Sequence, residues 1–313
     1  MKIDMPNRRV LAAAALLLAL AALSVSIGVA RLDWLIFWVS RLPRTLALIL
    51  VGTSMAVAGT IMQLVVHNRF VEPNTAGTAQ GAMLGIILTT LFTPHWPLLA
   101  HMGVAAACAV AAMLVVLALA RRIPPHDPLL LPLVSLVYGG IISAFAVYLA
   151  YRYEALQLLG TWLSGDFSAV LSGRYELLWL GGLVTFLLYH YADVLTIVGM
   201  GEQMSRALGI PYRRLVLLAM AAISLMTALV AISVGMIAFL GLVMPNIVRL
   251  FLGDNLRRSL PWTAWLGAVM LLACDALART IRYPYELPAS TILGVIGAVL
   301  FLYLLLRPAR RPA

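Results

Sequence analysis

The chain has 313 residues, of which 63% are hydrophobic and 11% charged, and its mean hydropathy is +1.00. Soluble domains carry roughly 45–50% apolar and about 25% charged residues, so this composition excludes a water-facing globule and predicts a protein dissolved in lipid. The formal charge of +10 does not point to nucleic acid, because the basic residues are dispersed in pairs between apolar runs, without the clustered stripe that phosphate binding needs.

In chain order, charge-free stretches of span length fall near residues 10–30, 45–66, 76–94, 98–120, 129–150, 176–191, 214–234, 238–250, 259–278 and 288–306, which predicts an all-α, polytopic protein of about ten transmembrane helices. The first stretch follows Arg8-Arg9 and has the outline of a secretory signal. Its 21 residues are nevertheless enough to cross, since about 30 Å of hydrocarbon needs roughly 20 residues at 1.5 Å each. With further spans behind it, it reads as a retained helix.

Between residues 152 and 172, Arg152, Tyr153 and Glu154 lead through Trp162 to Gly165 and Asp166, a mixture that suits a helix lying at the membrane interface. The uncharged run Leu215–Val248 is 34 residues long, too long for one span and too short for two with a loop. Gly235 and Gly241 predict a full span, a break and a short helix. No linker interrupts the array, so residues 1–313 read as a single membrane domain.

Ten spans put both termini on one side, and the positive-inside rule names it. Lys2, Arg8, Arg9, Arg69, Arg121, Arg122, Arg206, Arg213, Arg214, Arg249, Arg257, Arg258, Arg307, Arg310 and Arg311 fall with the termini. Arg31, Arg41, Arg44, Arg152, Arg174, Arg279 and Arg282 fall opposite, and fifteen against seven predicts cytoplasmic ends.

The only lysine is Lys2, whereas a phosphate loop needs a lysine after its glycines, so no built-in ATPase of that kind is expected. His67, His95, His101, His126 and His190 are scattered, without a metal-binding pair or a carboxylate cluster. Cys108 and Cys274 sit far apart in apolar runs, where a thiol acts as a small hydrophobe. No catalytic residue, metal site or bound cofactor is expected in this chain.

Three groups of residues stand out. Gly77, Gly81 and Gly85 recur every fourth residue and predict one smooth helix face for close packing, or for sliding during gating. Within a loop at about 193–213, Gly201, Glu202, Met204, Arg206, Ala207, Leu208 and Gly209 compose a short capped helix, with acid first, base last and Gly209 at the left-handed end. Met204 and Leu208 share one face of it, the form of a helix-in-groove contact, against the alternative of a connector flat on the bilayer. Arg41 and Arg44, with Arg279 and Arg282 at the same spacing, predict an outer patch able to receive carboxylates. Headgroup anchoring, or a pairing of Arg279 with Asp275, is the alternative.

An ion-coupled carrier would be expected to place carboxylates near midplane, where only Asp275 comes near. A membrane enzyme would gather nucleophiles or acids at one depth, and none gather here.

The sequence resembles the FecCD family of permeases, which serve bacterial importers for ferric siderophores, haem and vitamin B12. The resemblance lies in Arg41-Leu-Pro-Arg44-Thr45, His67-Asn-Arg-Phe-Val-Glu-Pro73, Trp162-Leu-Ser-Gly165, Gly201 to Gly209, Phe239-Leu-Gly-Leu-Val-Met-Pro245-Asn-Ile-Val-Arg249 and Asp275-Ala-Leu-Ala-Arg279-Thr280. Glu286-Leu-Pro288 and Gly297-Ala-Val-Leu-Phe-Leu-Tyr303 complete it. It implies a dimer of ten-span permeases, two cytoplasmic ATPase subunits that hold ATP and magnesium, and an extracytoplasmic substrate-binding protein. It further implies that the helix near Glu202 couples to the ATPase and that Arg41, Arg44 and an arginine at 279 or 282 meet acidic residues of the binding protein. The wording Glu72-Pro-Asn-Thr-Ala-Gly77-Thr78 is nearest the iron-siderophore branch. Asn246 and Asp166 depart from the family pattern, which usually has histidine and a small neutral residue there.

Overall fold

The computed structural model of the protein describes residues 7–28, 33–74, 77–120, 122, 130–173 and 175–306, which form helices and no strand. Of the expectations above, Lys2, Arg31, Arg121, Arg174, Arg307, Arg310, Arg311 and His126 lie outside the described residues.

The helices are α1 (Asn7–Ser26), α2 (Trp34–Ile36), α3 (Leu42–Val66), α4 (Thr78–Phe92), α5 (Leu98–Ala120), α6 (Leu130–Arg152), α7 (Leu156–Leu163), α8 (Leu178–His190), α9 (Ala192–Val198), α10 (Glu202–Ala207), α11 (Tyr212–Val234), α12 (Leu240–Leu252), α13 (Leu256–Thr280) and α14 (Ala289–Leu306). A π-helical turn, Phe37–Arg41, joins α2 to α3. All ten expected stretches fall on helices. Among the described residues seven helices are long and apolar enough to cross, and α8 with α9, bent by 70°, supplies an eighth if the pair is one span. Helices α4 and α12, with 15 and 13 residues, are apolar but short of the roughly 20 residues of a complete crossing.

Two boundaries moved for identifiable reasons. The second span begins at Trp34 rather than near residue 45, because Arg41 and Arg44 are buried and partnered inside the protein instead of marking a water boundary. The helix expected over 152–172 is confined to α7. Glu154 and Gly165 take left-handed backbone angles of φ 56° and 53°, which no continuous right-handed helix contains.

Helix α3 is the axis of the fold, buried along most of its length, and α8, α11, α12 and α13 pack around it. Glycine permits the closest approaches: a Cβ on Gly52 would stand 2.7 Å from the Ala268 Cα of α13, and one on Gly59 would overlap the Gly241 backbone of α12. Small residues matter here because lipid offers helices little hydrophobic drive to associate, so close van der Waals contact must supply it.

Helix α1 is almost entirely unburied and is tethered by polar contacts. The Trp265 indole N–H donates to the Ala13 carbonyl at 2.8 Å, and Arg279 donates to the carbonyls of Ser24 and Ile27 at 2.9 and 2.8 Å. Trp34, Phe37 and Trp38 form an aromatic cluster beside it with ring centroids 5.3–6.4 Å apart, suited to an interfacial belt.

Candidate functional site

The α10 segment is built as its residues dictate. Gly201 enters at φ 100°, a region costly for other residues, and Glu202 pairs with Arg206 at 2.6 Å along one side. The end is a Schellman closure: Gly209, at φ 73°, donates to the Arg206 carbonyl at 3.0 Å, and Ile210 donates to the Ser205 carbonyl at 2.9 Å. Ser205 is fully buried, and its hydroxyl reaches the Ile197 carbonyl of α9 at 3.2 Å. Arg213 at the start of α11 lies 3.6 Å from Glu202. The helix is thus braced on α9 and α11, while Met200, Met204 and Leu208 stand 61%, 49% and 56% exposed. Three large apolar side chains thus stand outward on a helix braced by polar contacts, a surface that is costly to leave in water.

The four arginines of the expected outer patch separate into two kinds. Arg44 lies 2.7 Å from Asp275 and 2.6 Å from Glu286, and Arg279 lies 2.5 Å from Asp275. Two guanidinium groups and two carboxylates make a neutral cluster joining α3, α13 and the start of α14's approach segment. Arg41 is also buried, donating to the Ile27 carbonyl. Only Arg282 is exposed, its guanidinium 5.9 Å from the Tyr285 ring. The free patch of four is therefore corrected to one exposed arginine beside an internal cluster. Burial explains it: charges removed from water are retained only with partners, and these partners come from the same chain.

The glycine series is divided as well. Cβ atoms on Gly81 and Gly85 would approach Cys108 O at 2.7 Å and Ala105 Cα at 2.8 Å, so both face α5. Gly77 precedes the helix at φ 79° and faces the Tyr138 ring of α6, 2.9 Å from its would-be Cβ. A shared face holds for two of the three, since Gly77 is a cap and not part of the helix.

One region escaped the residue-level reading. The break expected after α11 is present at 235–239, between Gly235 at φ 88° and Phe239 at φ 67°, and its backbone is satisfied by side chains from α3 and the α3–α4 loop. Glu72, almost wholly buried, accepts from Phe239 N–H at 3.0 Å, and Asn74 donates to the Ile237 carbonyl. Gln63 donates to the carbonyls of Gly241 and Leu242 at 3.2 and 3.3 Å. Irregular backbone inside a membrane protein persists only where such partners replace water. Asn246 extends the seam, donating to Arg69 O at 2.9 Å and Leu242 O at 2.7 Å, and Asp166 closes a local turn by accepting from Ser168 N–H at 2.9 Å.

Long apolar helices around a buried axis, a backbone break held by buried side chains and a braced short helix with outward apolar side chains define the membrane subunit of a transporter. The chain belongs to the FecCD transport family, whose model matches residues 9–307. It is 44% identical over 304 residues to the petrobactin import system permease protein YclN of Bacillus subtilis, covering 93% of this chain and 96% of the relative. It is 42% identical over 276 residues to the petrobactin import system permease protein FatD of Bacillus anthracis, covering 88% of this chain and 82% of the relative. The vitamin B12 import system permease protein BtuC of Yersinia pseudotuberculosis is 34% identical, covering 87% of this chain and 82% of that one. An inward-facing structure described as a metal-chelate type ABC transporter superposes with a TM-score of 0.81 at 25% identity, over 96% of this chain and 99% of that one.

Proposed function

We propose that the chain is the permease subunit of an ATP-binding-cassette importer that carries a ferric siderophore, of the petrobactin kind, across the bacterial cytoplasmic membrane. The observation that carries this reading is the 44% identity to a petrobactin import permease along 93% of the chain; the 34% identity to vitamin B12 permeases is lower over a similar span. The subunit performs no chemistry. ATP and magnesium belong to two cytoplasmic ATPase subunits, a second permease chain completes the path, and an extracytoplasmic binding protein delivers the iron complex. Both termini are cytoplasmic, on the side of α10.

Power enters at α10. Its apolar face seats in a groove of the ATPase, and its bracing on α9 and α11 passes ATPase closure into α11. The far end of α11 is the break at 235–239, which Glu72 and Asn74 tie to the α3–α4 loop. A push on α10 therefore reaches a place where the backbone already departs from a helix and can bend without losing helical hydrogen bonds. At the opposite end, Arg282 is the exposed cation that faces the binding protein.

The test is uptake of radio-iron petrobactin by proteoliposomes containing the permease, its ATPase and its binding protein. ATP inside the assay is expected to be required, and accumulation by the permease alone under a proton or sodium gradient would instead establish an ion-coupled carrier.

A further inference from the structure

Between α3, α8 and α13 lies a groove of about 430 Å³ that has no part in the coupling path, and this volume is within the usual range of small-molecule sites. Its wall includes Thr53 and Val57 of α3, Gly182, Thr185 and Tyr189 of α8, and Ala264 of α13. The α8 residues are spaced by three and four, so the groove runs lengthwise along the helix. Its two threonine hydroxyls are already used: Thr53 donates to the Leu50 carbonyl at 2.9 Å and Thr185 to the Gly181 carbonyl at 2.9 Å. The wall therefore offers methyl and methylene surface to whatever fills it.

The rim is different. Arg257 stands one turn before the groove-lining Pro261 on α13, with its guanidinium carbon 5.0 Å from the Tyr189 ring centroid. Its side chain is 47% exposed, and Asp193, 70% exposed, lies 3.6 Å away. Arg258 and His190 are exposed at the same helix ends. Asp254, also at this end, is taken by Arg249 at 2.7 Å, so Arg257 and Arg258 outnumber the one remaining carboxylate, Asp193, and the Arg257 guanidinium has donors beyond that contact.

We infer that this groove is a phospholipid site, with an acyl chain along the slot and the headgroup phosphate on Arg257, at the end of the fold where α9 leads to α10. An apolar slot parallel to the helices with a cation at one end has the amphipathic order of a lipid in its leaflet. Arginine at that level meets phosphate and the aromatic ring together.

The test uses the full chain purified from membranes in mild detergent, stripped of lipid and titrated with phosphatidylglycerol, with bound lipids counted by native mass spectrometry. One phosphatidylglycerol is expected to be retained. Arg257→Gln is expected to weaken retention about fivefold, the effect of one basic residue on an anionic headgroup. Ala264→Phe, which fills the slot, is expected to abolish it, and Thr53→Leu serves the same purpose if the larger residue prevents folding. Equal retention by the unaltered chain and these variants overturns the assignment. So does a disulfide between two copies of Phe186→Cys in native membranes, since protein and not lipid would then cover the groove.

Discussion

Arg44 and Asp275 are 231 residues apart in sequence and 2.7 Å apart in the fold, with Asp275 wholly buried. The pair fastens α3 to α13, and Arg279 shares the same carboxylate. Asp275→Ala leaves two buried guanidinium groups with Glu286, paired to Arg44, as the one carboxylate remaining in the cluster. Removing one partner of a buried ion pair costs about 3–5 kcal/mol, so this variant is expected to lose most of its thermal stability in detergent. The double variant Arg44→Met/Asp275→Leu is expected to unfold at a higher temperature than Asp275→Ala, because it removes both charges. A double variant less stable than the single one contradicts the cluster's assignment as a charge-balanced clamp.

Docking of the binding protein gives a second prediction. Opposed charges steer association, and a rim charge acts chiefly on the on-rate and its salt dependence. Arg282→Glu is expected to lower affinity for the binding protein several-fold at low salt, with thermal stability unchanged. Arg44→Glu places a third carboxylate against Asp275 and Glu286 and is expected to destabilise the permease itself. Surface plasmon resonance and thermal unfolding of the two variants separate these effects, and an Arg282→Glu protein that binds normally removes this arginine from the interface.

Glycine contacts supply the third. Gly59→Leu would drive a side chain through the Gly241 backbone, whereas nothing lies within 4 Å of a Cβ at Gly103. The first substitution is expected to eliminate folded protein from the membrane, the second to leave yield and unfolding temperature alike. Membrane expression followed by size-exclusion chromatography decides it.

The fourth concerns Glu72. Glu72→Ala leaves the Phe239 N–H without its acceptor, which costs about 1–3 kcal/mol for a buried donor, while Glu72→Gln keeps an acceptor oxygen. Alanine is expected to lower the unfolding temperature and transport together, and glutamine is expected to retain most of both. Equal defects in the two variants would assign the effect to the charge rather than to the hydrogen bond.

Local features of this protein are legible in its sequence and distant pairings are not. The helix positions follow from apolar length, and α10 from Gly201, Glu202, Arg206 and Gly209, because capping and end charges act within one turn. The burial of Arg44 was not legible, since Asp275 and Glu286 arrive from 231 and 242 residues away, and an arginine pair at a span mouth looks the same whether it faces water or a carboxylate. Gly77 has the same spacing to Gly81 as Gly81 has to Gly85, and only the backbone shows that it caps the helix. The Gly59–Gly241 approach and the Glu72–Phe239 bond depend on which helices become neighbours, which apolar periodicity cannot specify when most faces are apolar.

On the proposed function, ATP-driven closure enters through the exposed face of α10. The most direct measurement is ATP-dependent radio-iron siderophore uptake by proteoliposomes carrying Leu208→Arg beside the unaltered permease, with ATP turnover followed in the same vesicles. Leu208→Arg is expected to insert and fold normally, with uptake abolished and ATP hydrolysis no longer responsive to the loaded binding protein. Uptake at the unaltered rate by Leu208→Arg would contradict entry through α10.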